Sequence, residues 1–303
     1  MELYFAGSSV PEADNWIIEN KKSRLYSFLN DKSSFKRYNE KEFRGHMFID
    51  SGAFSAWTRG DVINVKDYIT WLNNNSNHLH LFGQIDSIPG DRVFGATPSQ
   101  VKEASRKTWE NYLFMRKRLN KPDGLLYTFH VGEPIEFLQN ALEWKNDNGD
   151  HIPYIALGGM VGKPRHIRDT FLEKCFITIR QSSNPNVKVH AFGMTDFELL
   201  EKYPIYSADS TSWIMVGAMG NVMTDYGNIA VSNNYKNNAN HYSHLSQENI
   251  DNFNQLIHQF GFTLDDLAEV TNNRILFNAM YMDKKTQELN NKERKFNYRK
   301  KLF

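Results

Sequence analysis

Cysteine is nearly missing from this chain: Cys175 is the single one in 303 residues. One thiol excludes an internal disulfide and a multi-thiolate zinc site. No run of about 18 apolar residues occurs, which excludes an ordinary membrane-spanning helix. The first residues, MELYFAGSSVPEADNW, lack the basic-then-apolar layout of a secretory signal. No stretch is rich enough in Pro, Gly or Ser to act as a linker, so residues 1–303 read as one domain. Net charge is also nearly absent, at +1, and by itself points to no polyanionic partner. What remains is an ordinary soluble composition, 40% apolar and 23% charged. The length is about twice that of a common domain but suits one large α/β barrel.

The small net charge conceals an uneven distribution. From Lys284 onward eight basic residues (Lys284, Lys285, Lys292, Arg294, Lys295, Arg299, Lys300, Lys301) face only Glu288 and Glu293. The tail at 284–303 therefore carries +6 and the body −5. Such a tail suits contact with a phosphate backbone, and equally a solvated terminal helix. Asparagine clusters such as Asn73-Asn74-Asn75 favour a mesophilic source, because hyperthermophile proteins avoid this residue.

Short apolar runs alternate with amphipathic stretches. Strands are expected at 3–7, 46–50, 79–86, 125–132, 152–159, 187–193 and 205–210, with an eighth at GNIAVSN (227–233). Helices are expected at 14–30, 65–73, 98–119, 134–146, 165–180 and 195–202, then around 246–260 and 272–289. Strand–helix repetition of this kind argues for βα units and a parallel sheet. The count favours a closed (β/α)8 barrel of the TIM type with short C-terminal helices.

Polar residues recur where these strands end. Asp50, Asp86, His130, the Gly158-Gly159 pair and Asp209 all occupy such positions. The βα loops converge at that face of a parallel barrel, which makes it the expected active site. Each aspartate alone also suits a turn or helix cap. Three at equivalent ends favour a shared site.

FIDSGAFSAW (48–57), ALGGMVG (156–162) and HAFGMTDFELL followed by YSADS (190–210) together resemble signatures of the tRNA-guanine transglycosylase superfamily. The resemblance covers roughly residues 45–235 in matching order. It implies that Asp209 is the nucleophile and that Asp50, in the Asp50-Ser51-Gly52 signature, is the general acid/base. It implies that Asp86 reads the pairing edge of guanine and that Gly158 and Gly159 address the base carbonyl. Phe54 and Phe192 would sandwich the base, with Ser51 and Gly52 also lining the site.

These residue types suit base exchange. A carboxylate can attack an oxocarbenium-like C1′ and hold a covalent glycosyl intermediate. A second carboxyl group protonates the leaving base and deprotonates the incoming one. Asp86 can accept two N–H bonds from a guanine-like edge. Flat aromatic faces stack on a base lifted from its strand, at about 1–3 kcal/mol each.

Two positions depart from the family pattern: His130 stands where a glutamine is common, and Ala53 replaces the second glycine of DSGG. The region after Asp209 holds no cysteine, so the zinc site of the tRNA-acting members has no counterpart. His241 and His244 have ligand-like spacing but no third donor nearby in sequence, and no metal or cofactor is expected. The missing zinc module is similar to the compact DNA-guanine transglycosylases, which insert 7-deazaguanine bases into phage and bacterial DNA. The resemblance thus implies DNA and a free 7-deazaguanine base as partners, such as 7-cyano-7-deazaguanine. The alternatives are tRNA as substrate, or a non-catalytic nucleic-acid-binding subunit. It implies a cytoplasmic protein, in the host cytoplasm if phage-encoded. Candidate phosphate contacts are the basic tail and the helix face of Arg106, Lys107, Arg116, Lys117 and Arg118.

Overall fold

Eight short strands close on themselves in chain order. They are β1 (Glu2–Ala6), β2 (Ser23–Ser27), β3 (Met47–Asp50), β4 (Leu81–Gly83), β5 (Leu125–His130), β6 (Tyr154–Gly158), β7 (Lys188–Ala191) and β8 (Ser207–Ser210). Each runs parallel to the next, and β8 pairs back onto β1, with Tyr4 opposite Asp209. The computed structural model describes residues 1–7, 10–30, 35, 43–90, 95–292 and 294. Around the strands lie α1 (Pro11–Glu19), α2 (Ala53–Arg59), α3 (Val65–Asn74), α4 (Pro98–Arg116), α5 (Ile135–Glu143), α6 (Arg165–Gln181) and α7 (Phe197–Lys202). After β8 follow α8 (Ser212–Ala218), α9 (Gln247–Gln259), α10 (Leu264–Glu269) and α11 (Thr271–Asn290). The (β/α)8 barrel expected from the sequence is present. No described helix is long and apolar enough to cross a membrane.

The eight strands are not the eight expected. SRLYS (23–27) falls in the helix expected over 14–30, yet α1 stops at Glu19 and β2 follows. Arg24 breaks the apolar run there but is fully buried. Its guanidinium donates to the Phe5 carbonyl at 2.9 Å, the Gly7 carbonyl at 2.6 Å and the Tyr26 hydroxyl at 2.8 Å. It also lies 3.5 Å from the buried Asp14 of α1. A charge so well supplied with acceptors is tolerated inside, and local patterning does not reveal that supply.

Conversely, GNIAVSN is not a barrel strand. Gly227–Ala230 forms β10, antiparallel to β9 (Asn221–Thr224) across a two-residue turn, outside the barrel. Its apolar residues serve a satellite cluster with Phe253, Ile257, Leu267 and Phe277.

Helix starts follow their capping chemistry. Thr97 and Gln100 form a reciprocal capping box ahead of Pro98 on α4. Asn64, Asp196 and Ser246 cap α3, α7 and α9. Strand residues facing outward join the helices in the main core, while Tyr4, Leu25, Phe48, Leu81, Leu126 and Tyr154 form a separate buried cluster. Alternation along each strand places the two sets on opposite faces.

The long α11 packs against α8 and α1 and covers the seam where the barrel closes. Trp213 of α8 is buried in that seam, and its indole N–H reaches the Ala6 and Ser210 carbonyls. The start of the basic tail is therefore helix. Lys285 pairs with Asp225 and Glu288, and Lys292 pairs with Glu201. Arg294 donates to the Ile205 carbonyl at 2.8 Å. Lys295, Arg299, Lys300 and Lys301 lie outside the described residues.

Arg24→Met removes the buried cation beside Asp14 while keeping a long side chain. We expect a loss of roughly 3–5 kcal/mol in urea-denaturation stability. An unchanged midpoint would show that Arg24 does not hold β1, β2 and α1 together.

Candidate active site

Three carboxylates and two histidines meet at the C-terminal ends of the strands. Asp50 is the last residue of β3 and accepts the Gly52 N–H at 3.0 Å. That turn requires Gly52, whose φ is +80° and whose added Cβ would lie 2.6 Å from the Ser27 hydroxyl oxygen. The buried Ser51 hydroxyl accepts the Ala53 N–H at 3.3 Å. Ser51 and Gly52 thus build the turn that carries Asp50. On the neighbouring strand, a Cβ at Gly83 would come within 3.0 Å of Asp50 Oδ1, so a side chain there would press on the carboxylate.

Burial pushes the Asp50 carboxyl up to about 7, opposed by the Gly52 N–H and reinforced by the Asp86 and Asp209 carboxylates. Asp50 therefore holds a proton near neutrality.

Asp209, on β8, is tied through one oxygen. Oδ1 lies 3.1 Å from His190 Nε2 and accepts the Gly193 N–H at 3.0 Å. No described residue bonds Oδ2. His190 on β7 is fully buried, with Nδ1 2.6 Å from the Ser207 hydroxyl, which lies 2.5 Å from the Tyr154 hydroxyl. A carboxylate only accepts, so the ring proton belongs on Nε2. In the neutral ring Nδ1 then accepts from Ser207, whose oxygen accepts from Tyr154. The chain of hydrogen bonds runs from β6 through β7 and β8 and points at Asp209. His190 was not singled out from sequence. Its signal is a histidine facing inward on a strand, two residues before Phe192.

Asp86 does not close a strand: β4 ends at Gly83, and Asp86 sits in the loop that follows. Asp86 Oδ1 accepts from Gln84 Nε2 at 2.9 Å, and Oδ2 lies 3.3 Å from His130 Nε2. His130 Nδ1 lies 3.2 Å from Glu133 Oε1. Burial works against charge on this ring, but the Asp86 and Glu133 carboxylates overcome it and hold it at about 10. His130 is thus an imidazolium bridging two carboxylates, a role its glutamine-like position did not suggest. Gly158 leaves room for it: a Cβ there would meet His130 Cδ2 at 2.7 Å. Gly159 follows with φ +73°. The Gln84 carbonyl oxygen and Glu133 Oε2 are buried and have no partner among the described residues.

Phe54 is 67% exposed on α2, with its ring 5.9 Å from Trp57. Phe192 packs between His190 at 4.7 Å and Phe48 at 5.6 Å. The first is open to stack on a ligand, and the second floors the barrel beside Asp209's partner.

The helix face offered for phosphate contact is partly engaged within the chain, with Lys117 and Arg118 exposed. Arg106 is paired with Glu103 and Glu110, and Lys107 with Glu103. Arg116 is buried, donating to Pro122 and Asp123 just ahead of β5, at the end of the barrel away from the aspartates. The His241 and His244 rings stand 6.1 Å apart, and they serve Ser243 and the Lys236 carbonyl. Cys175 is buried in α6, and burial pushes its thiol well up.

No protein-family model matches the chain, and no curated protein matches it.

Because its folded-state pKa is raised, Asp50 costs nothing below about pH 4 and progressively more stability as pH rises from there to about 7. In urea denaturation, the stability of Asp50→Asn relative to wild type should rise steadily between about pH 4 and about pH 7 and level off near pH 8. A constant difference across that window would contradict a raised Asp50.

Proposed function

We propose that this protein exchanges guanine in DNA for a 7-deazaguanine base by double displacement through Asp209. The observation that carries the reading is the contrast between its two central carboxylates. Asp209 has one oxygen fixed by His190 and Gly193 and the other unbonded among the described residues, while Asp50 nearby is pushed up to about 7. One is set up as a nucleophile and the other as an acid.

The Asp209 oxygen attacks C1′ of the target nucleotide, and the bond from C1′ to N9 breaks. Its electron pair leaves with guanine, and Asp50 supplies the proton. The incoming base then gives its N9 proton to Asp50, and its nitrogen attacks C1′ and releases Asp209. One residue works in both directions because its pKa lies near neutrality.

Recognition follows from the acceptor-rich wall formed by Asp86, Gln84 and Glu133. A guanine-like edge offers three N–H donors, matching a wall with unfilled acceptors. Phe54 supplies an exposed face for stacking. DNA is favoured over tRNA because the lone Cys175 is buried and cannot contribute to the zinc module of tRNA-acting relatives.

Purified protein incubated with labelled 7-cyano-7-deazaguanine should label duplex DNA. Labelling of tRNA alone would overturn the DNA assignment, and labelling of neither would overturn the transglycosylase reading. Without incoming base, a denaturing gel should trap a protein–DNA adduct that Asp209→Ala abolishes. Asp50→Asn should slow exchange by about 10²–10⁴-fold.

A further inference from the structure

The opposite end of the barrel carries a second group of donors. Glu2 opens β1, His46 immediately precedes β3, and His80 immediately precedes β4. One ligand atom from each lies within 4.8 Å of the others. Glu2 Oε1 and His46 Nδ1 are 2.7 Å apart, and the His46 and His80 rings stack at 4.0 Å with planes 10° apart. We propose that these three side chains bind a divalent cation of the zinc class.

Ligand chemistry and spacing both argue for it. Two imidazoles and one carboxylate form a mixed nitrogen–oxygen set suited to Zn2+ and Co2+. Tetrahedral bonds of about 2.0–2.1 Å put neighbouring ligand atoms about 3.3 Å apart, compatible with atoms that all lie within 4.8 Å of one another. A cation entering the group replaces the proton shared by Glu2 and His46. Both rings are exposed, so an ion from solvent can reach them.

The backbone under the group is fixed. The His46 carbonyl accepts Arg24 N at 2.9 Å, and His80 N donates to the Met47 carbonyl at 2.8 Å. Ser23 donates to Glu2 Oε1 at 2.6 Å, orienting the carboxylate as an outer-shell partner would.

No described lysine or arginine forms an ion pair with Glu2. Of the lysines at this end, Lys121 donates to the Ser76 carbonyl, and Lys188 lies over the Tyr206 ring at 4.3 Å. The ion would clip β1 to β3 and β4 across the intervening β2. At this face of a barrel such a clip acts on stability and leaves the chemistry at the other end untouched.

The test uses untagged full-length protein stripped with a chelator. Calorimetric titration with Zn2+ should show one saturable site, and Co2+ should give visible absorption bands of a low-coordinate complex. Zn2+ should also raise the thermal midpoint. His46→Ala/His80→Ala should lose all three responses while its metal-free midpoint matches wild type, and Glu2→Gln should lose the Co2+ bands. Absence of saturable binding of both ions, or unchanged binding in the double variant, would overturn the site.

Discussion

β1 pairs with β8 over Glu2–Phe5 and Ser207–Ser210, and on that pairing the rest of the molecule depends. Without it the eight strands form an open sheet with two unpaired edges and ends spread along a line. With it the strand ends form a ring, and residues distant in sequence face a common centre. Asp50 and Asp209, separated by about half the chain, come close enough for the Asp209 carboxylate to raise the cost of ionising Asp50. The seam is reinforced from outside by Trp213, whose indole bonds carbonyls of β1 and β8. It is reinforced from beneath by Arg24, which ties β1 and β2 to α1.

The interior of the ring divides into layers of different character. At one end lie Glu2, Ser23 and His46, a polar group with His46 exposed and Ser23 buried beside it. Above them Tyr4, Leu25, Phe48 and Tyr154 fill the middle. At the other end His190 hands the hydrogen bonds of Tyr154 and Ser207 up to Asp209. This apolar middle separates the two polar ends. It lowers the local dielectric beneath the aspartates, which is why Asp50 is pushed upward and why the chain behind Asp209 is fully satisfied. His130 at the same rim is also shifted upward, but toward its charged form, because two carboxylates flank it.

Several features were legible without coordinates. Alternating apolar runs and helical stretches specify a parallel barrel, and seven of its eight strands match expected runs, because burial on both faces demands unbroken apolar segments. Asp50, His130, Gly158 and Asp209 could be placed at or near strand ends because strand ends follow directly from those runs. β2 escaped because a buried arginine breaks its pattern, and only neighbouring carbonyls and Asp14 explain why that charge is tolerated. GNIAVSN misled because an apolar run of that length fits a hairpin outside the barrel as well as a strand within it. Arg106 and Arg116 read as free cations because their acidic partners are recognised only once the helix turns and the next strand are in place.

What the sequence determined by itself was the fold class and the residue types available for chemistry, since both follow from local patterning and composition. Tertiary structure alone decided how those residues are held. Whether Asp209 is gripped by one oxygen or two, whether His130 faces ligand or carboxylates, and whether Glu2, His46 and His80 are neighbours all depend on distances across the barrel. Such distances are fixed by closure and register between strands, which no single segment encodes.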